Sequence, residues 1–111
     1  MKIELAKKEI IHFIGIGGIG MSGLALIMKA KGFQIQGSDI NKNKNIEKLK
    51  KQGVRIFIGH KKQNIKDVTI VVTSSAIKKS NPELLEAKRK RLPSIKRGKM
   101  LANLVSLMKN I

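Results

Sequence analysis

Three glycines in the run Gly15-Ile16-Gly17-Gly18-Ile19-Gly20 fit the pattern G-x-G-x-x-G at Gly15, Gly17 and Gly20. The run follows an apolar stretch, Ile10 to Ile14, and opens a helix-like segment beginning at Met21-Ser22. At this spacing the first glycine permits a tight turn, the second lets backbone approach a phosphate, and the third lets the helix pack closely on the strand. Gly23 is expected to extend that last contact. Backbone N–H groups from Gly17 through Gly18, Ile19, Gly20 and Met21 would then point at a diphosphate, with the helix dipole adding to the attraction. An acid, Asp39, follows Gly20 by 19 residues. That is about the separation at which a carboxylate accepts from ribose hydroxyls in dinucleotide sites. The combination points to a site for a nucleotide diphosphate.

Other polar residues fall where further strands end. Gly37-Ser38-Asp39 follows a second β-like run, Gly59-His60 a third, Ser74-Ser75 a fourth, and Lys96-Arg97 a short fifth around Pro93 to Ile95. In an open parallel sheet ligands bind outside the carboxyl ends of the strands, so these groups would share one edge with the glycine loop. Each has a plainer role beside the binding one. Asp39 can cap the next segment or form an Asx turn, His60 can be an ordinary turn residue, Ser74 and Ser75 can cap a loop, and Arg97 can sit in water at a helix start. His12, inside the first strand, is read as structural. No Ser, His and acid stand at a spacing that would suggest a hydrolytic triad.

The elements that must position these groups alternate strand and helix, the pattern of a parallel sheet with crossover helices. Strands are expected at 10–14, 33–36, 54–58, 68–73 and about 93–95. Helices are expected from Met21 to about Lys31, with apolar residues nearly all round, and over Ile46 to Gln52. A third helix starts at Asn81-Pro82-Glu83, where a side-chain cap, a proline and a first-turn acid coincide. A fourth covers Lys99 to Lys109, with Leu101, Leu104, Val105 and Leu107-Met108 along one stripe. The fold class is α/β: a Rossmann-like three-layer domain with a mostly parallel sheet of about five strands, one domain over residues 1–111.

Composition narrows the function classes. With 24 Lys and Arg against 7 Asp and Glu, the 111-residue chain carries a formal charge of +17. Such a balance suggests nucleic acid, but the cations are overwhelmingly Lys, whereas base reading and bidentate phosphate clamping favour Arg. The only aromatic residues, Phe13, Phe33 and Phe57, sit within or beside apolar runs, so no stacking platform is visible. A solvated basic surface is the preferred account, and nucleic acid is disfavoured as a partner. The absence of Cys excludes a disulfide scaffold and thiolate chemistry. The charged N-terminus does not read as a secretory leader and no run approaches the ~20 apolar residues of a membrane span, so no membrane partner and a cytoplasmic location are expected.

Four motifs in order, His12-Phe13-Ile14-Gly15-Ile16-Gly17-Gly18-Ile19-Gly20-Met21-Ser22-Gly23, Gly37-Ser38-Asp39, Ser74-Ser75-Ala76-Ile77 with Asn81-Pro82-Glu83, and Lys96-Arg97 leading to Met100-Leu101-Ala102, resemble the amino-terminal domain of the Mur ligases. The likeness is to the branch that joins L-alanine to UDP-N-acetylmuramate. It implies one domain of an ATP-dependent, three-domain enzyme of peptidoglycan synthesis. Such a domain is Rossmann-like but holds the UDP of the sugar nucleotide. Carried over by position, Gly15, Gly17, Gly18, Ile19, Gly20, Met21 and Ser22 would hold the diphosphate. Ser38, Asp39, His60, Ser74 and Ser75 would surround uridine and sugar, and Arg97 would approach the muramoyl end. No catalytic residue and no metal ligand is assigned in this chain, and no cofactor. ATP and magnesium are expected for the full-length enzyme, whose ATP-binding and C-terminal domains the resemblance places beyond residue 111. No G-x-x-x-x-G-K-[ST] loop occurs in the sequence, so the chain alone is expected to be inactive. Lys99 stands where the family pattern suggests Glu. The competing function is a free-standing NAD-binding regulatory module, motivated by the same glycine loop and Asp39. The Ser74-Ser75-Ala76-Ile77 and Asn81-Pro82-Glu83 motifs have no evident use in such a module.

Overall fold

On the first strand, Ile11 and Phe13 point to one face and His12 and Ile14 to the other, and all four are buried, as in a strand covered on both sides. The computed structural model describes residues 5–109, with side chains through Ser106. Five strands, β1 (Ile10–Ile14), β2 (Gln34–Asp39), β3 (Arg55–Ile58), β4 (Ile70–Thr73) and β5 (Ser94–Lys96), form one sheet in the order β3-β2-β1-β4-β5. Every pairing is parallel. The helices are α1 (Ile19–Ala30), α2 (Lys44–Lys51), α3 (Pro82–Arg89) and α4 (Arg97–Lys109). The α/β class and the strand count agree with the sequence.

Two cores flank the sheet. Ile11, Phe13, Ile35, Ile70, Val72 and Ile95 pack against apolar residues of α1, α2 and α4. Ile14 and Val71 pack on the opposite face against Leu84 and Ala87 of α3 and against Ile65 and Val68. The three-layer arrangement follows. β3 is linked to β4 through a single 3-10 turn, Lys62–Ile65, which the sequence reading left without an element. Its one buried apolar residue, Ile65, is too weak a periodic signal to announce it.

β2 runs through Gly37-Ser38-Asp39, residues expected above to follow the strand. Polarity suggested the break, but the register continues, with Phe13 opposite Gly37 and Ile14 opposite Ser38. Gly37 is the true close-approach glycine: a Cβ there would lie 2.5 Å from the Ile16 side chain and 2.7 Å from the Phe13 carbonyl. The packing role expected of Gly20 and Gly23 is not found. A Cβ on Gly23 would meet nothing, and one on Gly20 would meet Arg97. Nor is α1 buried all round: Met21, Ser22, Leu24, Ala25 and Met28 face inward, while Ile19 is 90% exposed. Smaller differences move the ends of α2 and α4, which begin at Lys44 and Arg97. The Leu107-Met108 part of the α4 stripe lies outside the described side chains.

Helix ends follow local chemistry. Asn43 caps α2 by accepting from the Ile46 N–H, and Asn81 caps α3 by accepting from the Glu83 and Leu84 N–H groups. Gly32 and Gly53, with φ of +93° and +83°, turn the chain out of α1 and α2. The chain leaves β1 toward β2 on one side, and later returns to place β4 on the other. The carboxyl ends of β1 and β4 therefore bound the crevice where strand order reverses. Among the described residues no helix is long and apolar enough to cross a membrane.

Candidate functional site

The glycine loop occupies that crevice, and its backbone groups divide into two sets. Gly15 and Ile16 both donate N–H bonds to the Ser38 carbonyl, at 2.8 and 2.9 Å, and Gly18 donates to the Gly15 carbonyl. Gly17 N–H donates to Asp39 Oδ2 at 2.8 Å, while Asn45 Nδ2 donates to the Gly17 carbonyl at 3.0 Å. These bonds tie the turn to β2 and α2 and leave those N–H groups committed. The first N–H groups of α1, on Ile19, Gly20 and Met21, have no intrahelical acceptor by the geometry of a helix start. Gly18, the N-cap residue, supplies no side-chain cap, and no acid stands in the first turn. Of the N–H groups from Gly17 to Met21 expected to face a diphosphate, those of Gly17 and Gly18 are bonded within the protein, and those of Ile19, Gly20 and Met21 are left open. Ser22 is buried, its hydroxyl donating to the Ile19 carbonyl.

Asp39 serves the loop in this structure. One carboxylate oxygen accepts from Gly17, and the other accepts from the Ile40 and Asn41 N–H groups at 2.8 and 3.3 Å. This is the plainer Asx-turn role, extended to a tether across the crevice. Gly17 is required for it, because a Cβ would lie 2.8 Å from Asp39 Oδ2 and 3.1 Å from Ile46 Cδ1.

Arg97 begins α4 immediately after β5, and its guanidinium lies over Gly20, where a Cβ would come within 2.9 Å of Nε. A cation at the positive end of a helix opposes the helix dipole, and an anion between the two reverses that repulsion. Ser74, Ser75, Lys96, Arg97 and Gly98 line an open cleft of about 280 Å³ beside it. The backbone of Ser74 closes its loop by accepting from the Ile77 N–H. The crevice therefore offers uncapped N–H groups, a guanidinium and two serines. This is the chemistry of an anion cradle.

His60 lies across the edge, at the end of β3, and joins a buried cluster that the sequence did not announce. Glu83 is fully buried and accepts from every side. His12 Nε2 and Ser38 Oγ lie 2.7 and 2.6 Å from Oε1, and Asn64 Nδ2 and the Lys61 N–H lie 2.7 and 3.1 Å from Oε2. Gln36 Nε2 donates to His12 Nδ1 and to the Asn64 carbonyl, both at 2.8 Å. Because Nδ1 of His12 accepts from Gln36, Nε2 carries a proton and donates it to Glu83. Burial raises the Glu83 carboxyl, but the hydrogen bonds from His12, Ser38 and Asn64 outweigh it and hold the group below its ordinary value of 4.5. Glu83 stands there as a carboxylate held by hydrogen bonds.

Comparison with known proteins fits the order of these features. The profile of the Mur ligase family, catalytic domain, matches residues 10–109. The chain belongs to the Mur ligase family. A UDP-N-acetylmuramate--L-alanine ligase of Pelagibacter ubique is 71% identical over the whole chain, which covers 24% of that protein. The ligase of the same name from Aquifex aeolicus is 54% identical over 90% of the chain, covering 22% of its own length. Among solved structures, the UDP-N-acetylmuramate-alanine ligase of Thermotoga maritima superposes with a TM-score of 0.84 at 35% identity, over 87% of this chain and 23% of that one. This Mur ligase chain thus spans about a quarter of the length of the relatives it matches.

Within this Mur ligase chain the predicted residues form two groups. The glycine loop with Asp39, and Ser74, Ser75 and Arg97, meet at the β1/β4 crevice. Ser38 and His60 meet on the α3 side of the sheet. Sequence reasoning missed Glu83 as a site-supporting group, reading it only as a first-turn acid. The available signal was polar His12, Gln36 and Ser38 on one face of two adjacent strands, which demands a buried partner.

Proposed function

We propose that this chain is the UDP-N-acetylmuramate-binding domain of an ATP-dependent ligase that joins L-alanine to that sugar nucleotide in cytoplasmic peptidoglycan synthesis. The observation that carries the reading is the uncapped start of α1 facing the Arg97 guanidinium at the strand-order switch. A diphosphate placed there accepts from the Ile19, Gly20 and Met21 N–H groups and bridges them to the cation. Ser74 and Ser75 supply hydroxyls along the same cleft, and His60 marks the nucleoside side. The names of the relatives support the sugar nucleotide as the substrate and L-alanine as the acceptor. In the full-length enzyme ATP with magnesium, held outside these residues, would supply the phosphoryl chemistry that activates the substrate carboxylate. The residues of this chain bind and orient, and the remaining ligase domains are its natural partners. The NAD alternative has less support, since Asp39 already accepts from three backbone N–H groups and the relatives are named as ligases.

Titration with UDP-N-acetylmuramate followed by amide NMR tests the placement. The Ile19, Gly20 and Met21 resonances are expected to shift first and furthest, and those of Lys44 to Lys51 to stay. Shifts concentrated on the basic α2 helix would instead mean that the anion is held by surface charge.

A further inference from the structure

Ser38 lies between two groups that cannot both be served in the same way. Its Oγ is 2.6 Å from Glu83 Oε1 and 2.8 Å from His60 Nδ1. A serine hydroxyl has one proton, and a carboxylate only accepts, so Ser38 donates to Glu83. Its oxygen is then left to accept, and His60 Nδ1 must carry the proton. In the neutral ring the second nitrogen, Nε2, holds a lone pair. Glu83 is itself fixed on its far side by His12, Lys61 and Asn64, so the direction of the chain of bonds is set by the core.

His60 Nε2 makes no hydrogen bond among the described residues, and no buried side-chain nitrogen or oxygen there lacks a partner. The His60 side chain is 14% exposed, so Nε2 reaches solvent at the end of β3 on the binding edge. Ordered imidazoles with one bonded and one open nitrogen are pre-organised for a ligand, because neither ring flip nor tautomer change is needed on binding.

We propose that Glu83 and Ser38 are positioning residues that lock His60 in its Nδ1–H form, so that Nε2 accepts from an N–H or O–H donor of the bound nucleoside. The inference rests on the UDP site proposed above and deepens it. In a uridine nucleotide the donors are the imide N–H of the base and the ribose hydroxyls. Cytosine has no imide N–H, so CDP separates the two.

Two measurements on this chain test the relay. Long-range proton–nitrogen NMR of the free chain should show His60 protonated at Nδ1, and Ser38→Ala should lose that preference while circular dichroism stays that of a folded chain. A His60 protonated at Nε2 in the unaltered chain overturns the lock. In calorimetry with UDP, loss of one hydrogen bond predicts affinity lower by about three- to tenfold in His60→Ala, with recovery in His60→Gln, whose amide oxygen accepts. If the base is the donor, CDP binds the unaltered chain more weakly than UDP and is indifferent to His60→Ala. If a ribose hydroxyl is the donor, both ligands weaken together. Undiminished UDP binding by His60→Ala overturns this inference alone, whereas no UDP binding by the unaltered chain overturns the proposed function and this recognition role with it.

Discussion

Glu83→Ala is expected to destabilise the folded chain by about 3–5 kcal/mol, the largest effect of any single substitution in the polar core. The carboxylate accepts from His12, Ser38, Asn64 and the Lys61 backbone, and its removal leaves the buried His12 and Ser38 donors unanswered along with the part-buried Asn64 and Lys61 groups. Thermal denaturation should show Tm lower by more than about 10 °C. Glu83→Gln keeps the shape but turns an N–H group toward the Lys61 and Asn64 donors, so it should recover only part of the loss. A Tm within about 2 °C of the unaltered chain for Glu83→Ala would mean that water replaces the carboxylate without cost.

The same group sets an acid limit. Its carboxyl lies below its ordinary value of 4.5 in the folded state, so the unfolded chain binds this proton more readily than the folded one. The stability contributed by ionised Glu83 is therefore complete above about 4.5 and is lost as pH falls through the lower folded value. Urea denaturation across that window should show a steeper fall for the unaltered chain than for Glu83→Gln, which has no proton to take up there. Equal slopes would assign acid sensitivity to other carboxylates.

The second large effect falls on binding. Gly17→Val should lower UDP affinity by about a hundredfold or more, corresponding to loss of two charge-assisted hydrogen bonds at the α1 start. The cause is not a side chain standing in the diphosphate's place. A Cβ on Gly17 would lie 2.8 Å from Asp39 Oδ2, 3.1 Å from Ile46 Cδ1 and 3.2 Å from Asn43 Nδ2, all on the protein side. The Asp39 carboxylate must retreat, the Gly17 N–H loses its acceptor, and the turn feeding α1 shifts. Asp39→Asn, which keeps an acceptor oxygen for Gly17, should bind far better than Gly17→Val. A folded Gly17→Val chain that binds UDP normally would show that the loop's position is immaterial to the ligand.

Apolar runs with turn residues behind them yielded five strands in a parallel α/β fold, because β1 and β4 are buried on both faces and need continuous hydrophobicity. Asn81-Pro82-Glu83 announced α3 through its cap. The glycine loop was legible as a turn, but the division of labour within it was not. Which glycine faces what depends on residues distant in sequence: Gly17 on Asp39, Gly20 on Arg97, Gly37 on Ile16. Glu83 was opaque for the same reason. Its four partners come from β1, β2, the β3 end and the 3-10 turn, and no spacing rule links position 83 to position 12. Among the described residues the cations are mostly exposed lysines, and of these only Lys96 and Arg97 line the proposed cleft.

Calorimetric titration of this chain with UDP and, separately, with NAD tests the central claim most directly. UDP is the more highly charged of the two, so the titrations are run at high salt, where attraction to the basic surface is screened and the proposed site still prefers the uridine nucleotide. Saturable binding of UDP, tighter than that of NAD, is the result predicted; tighter binding of NAD, or no binding of UDP, would contradict it.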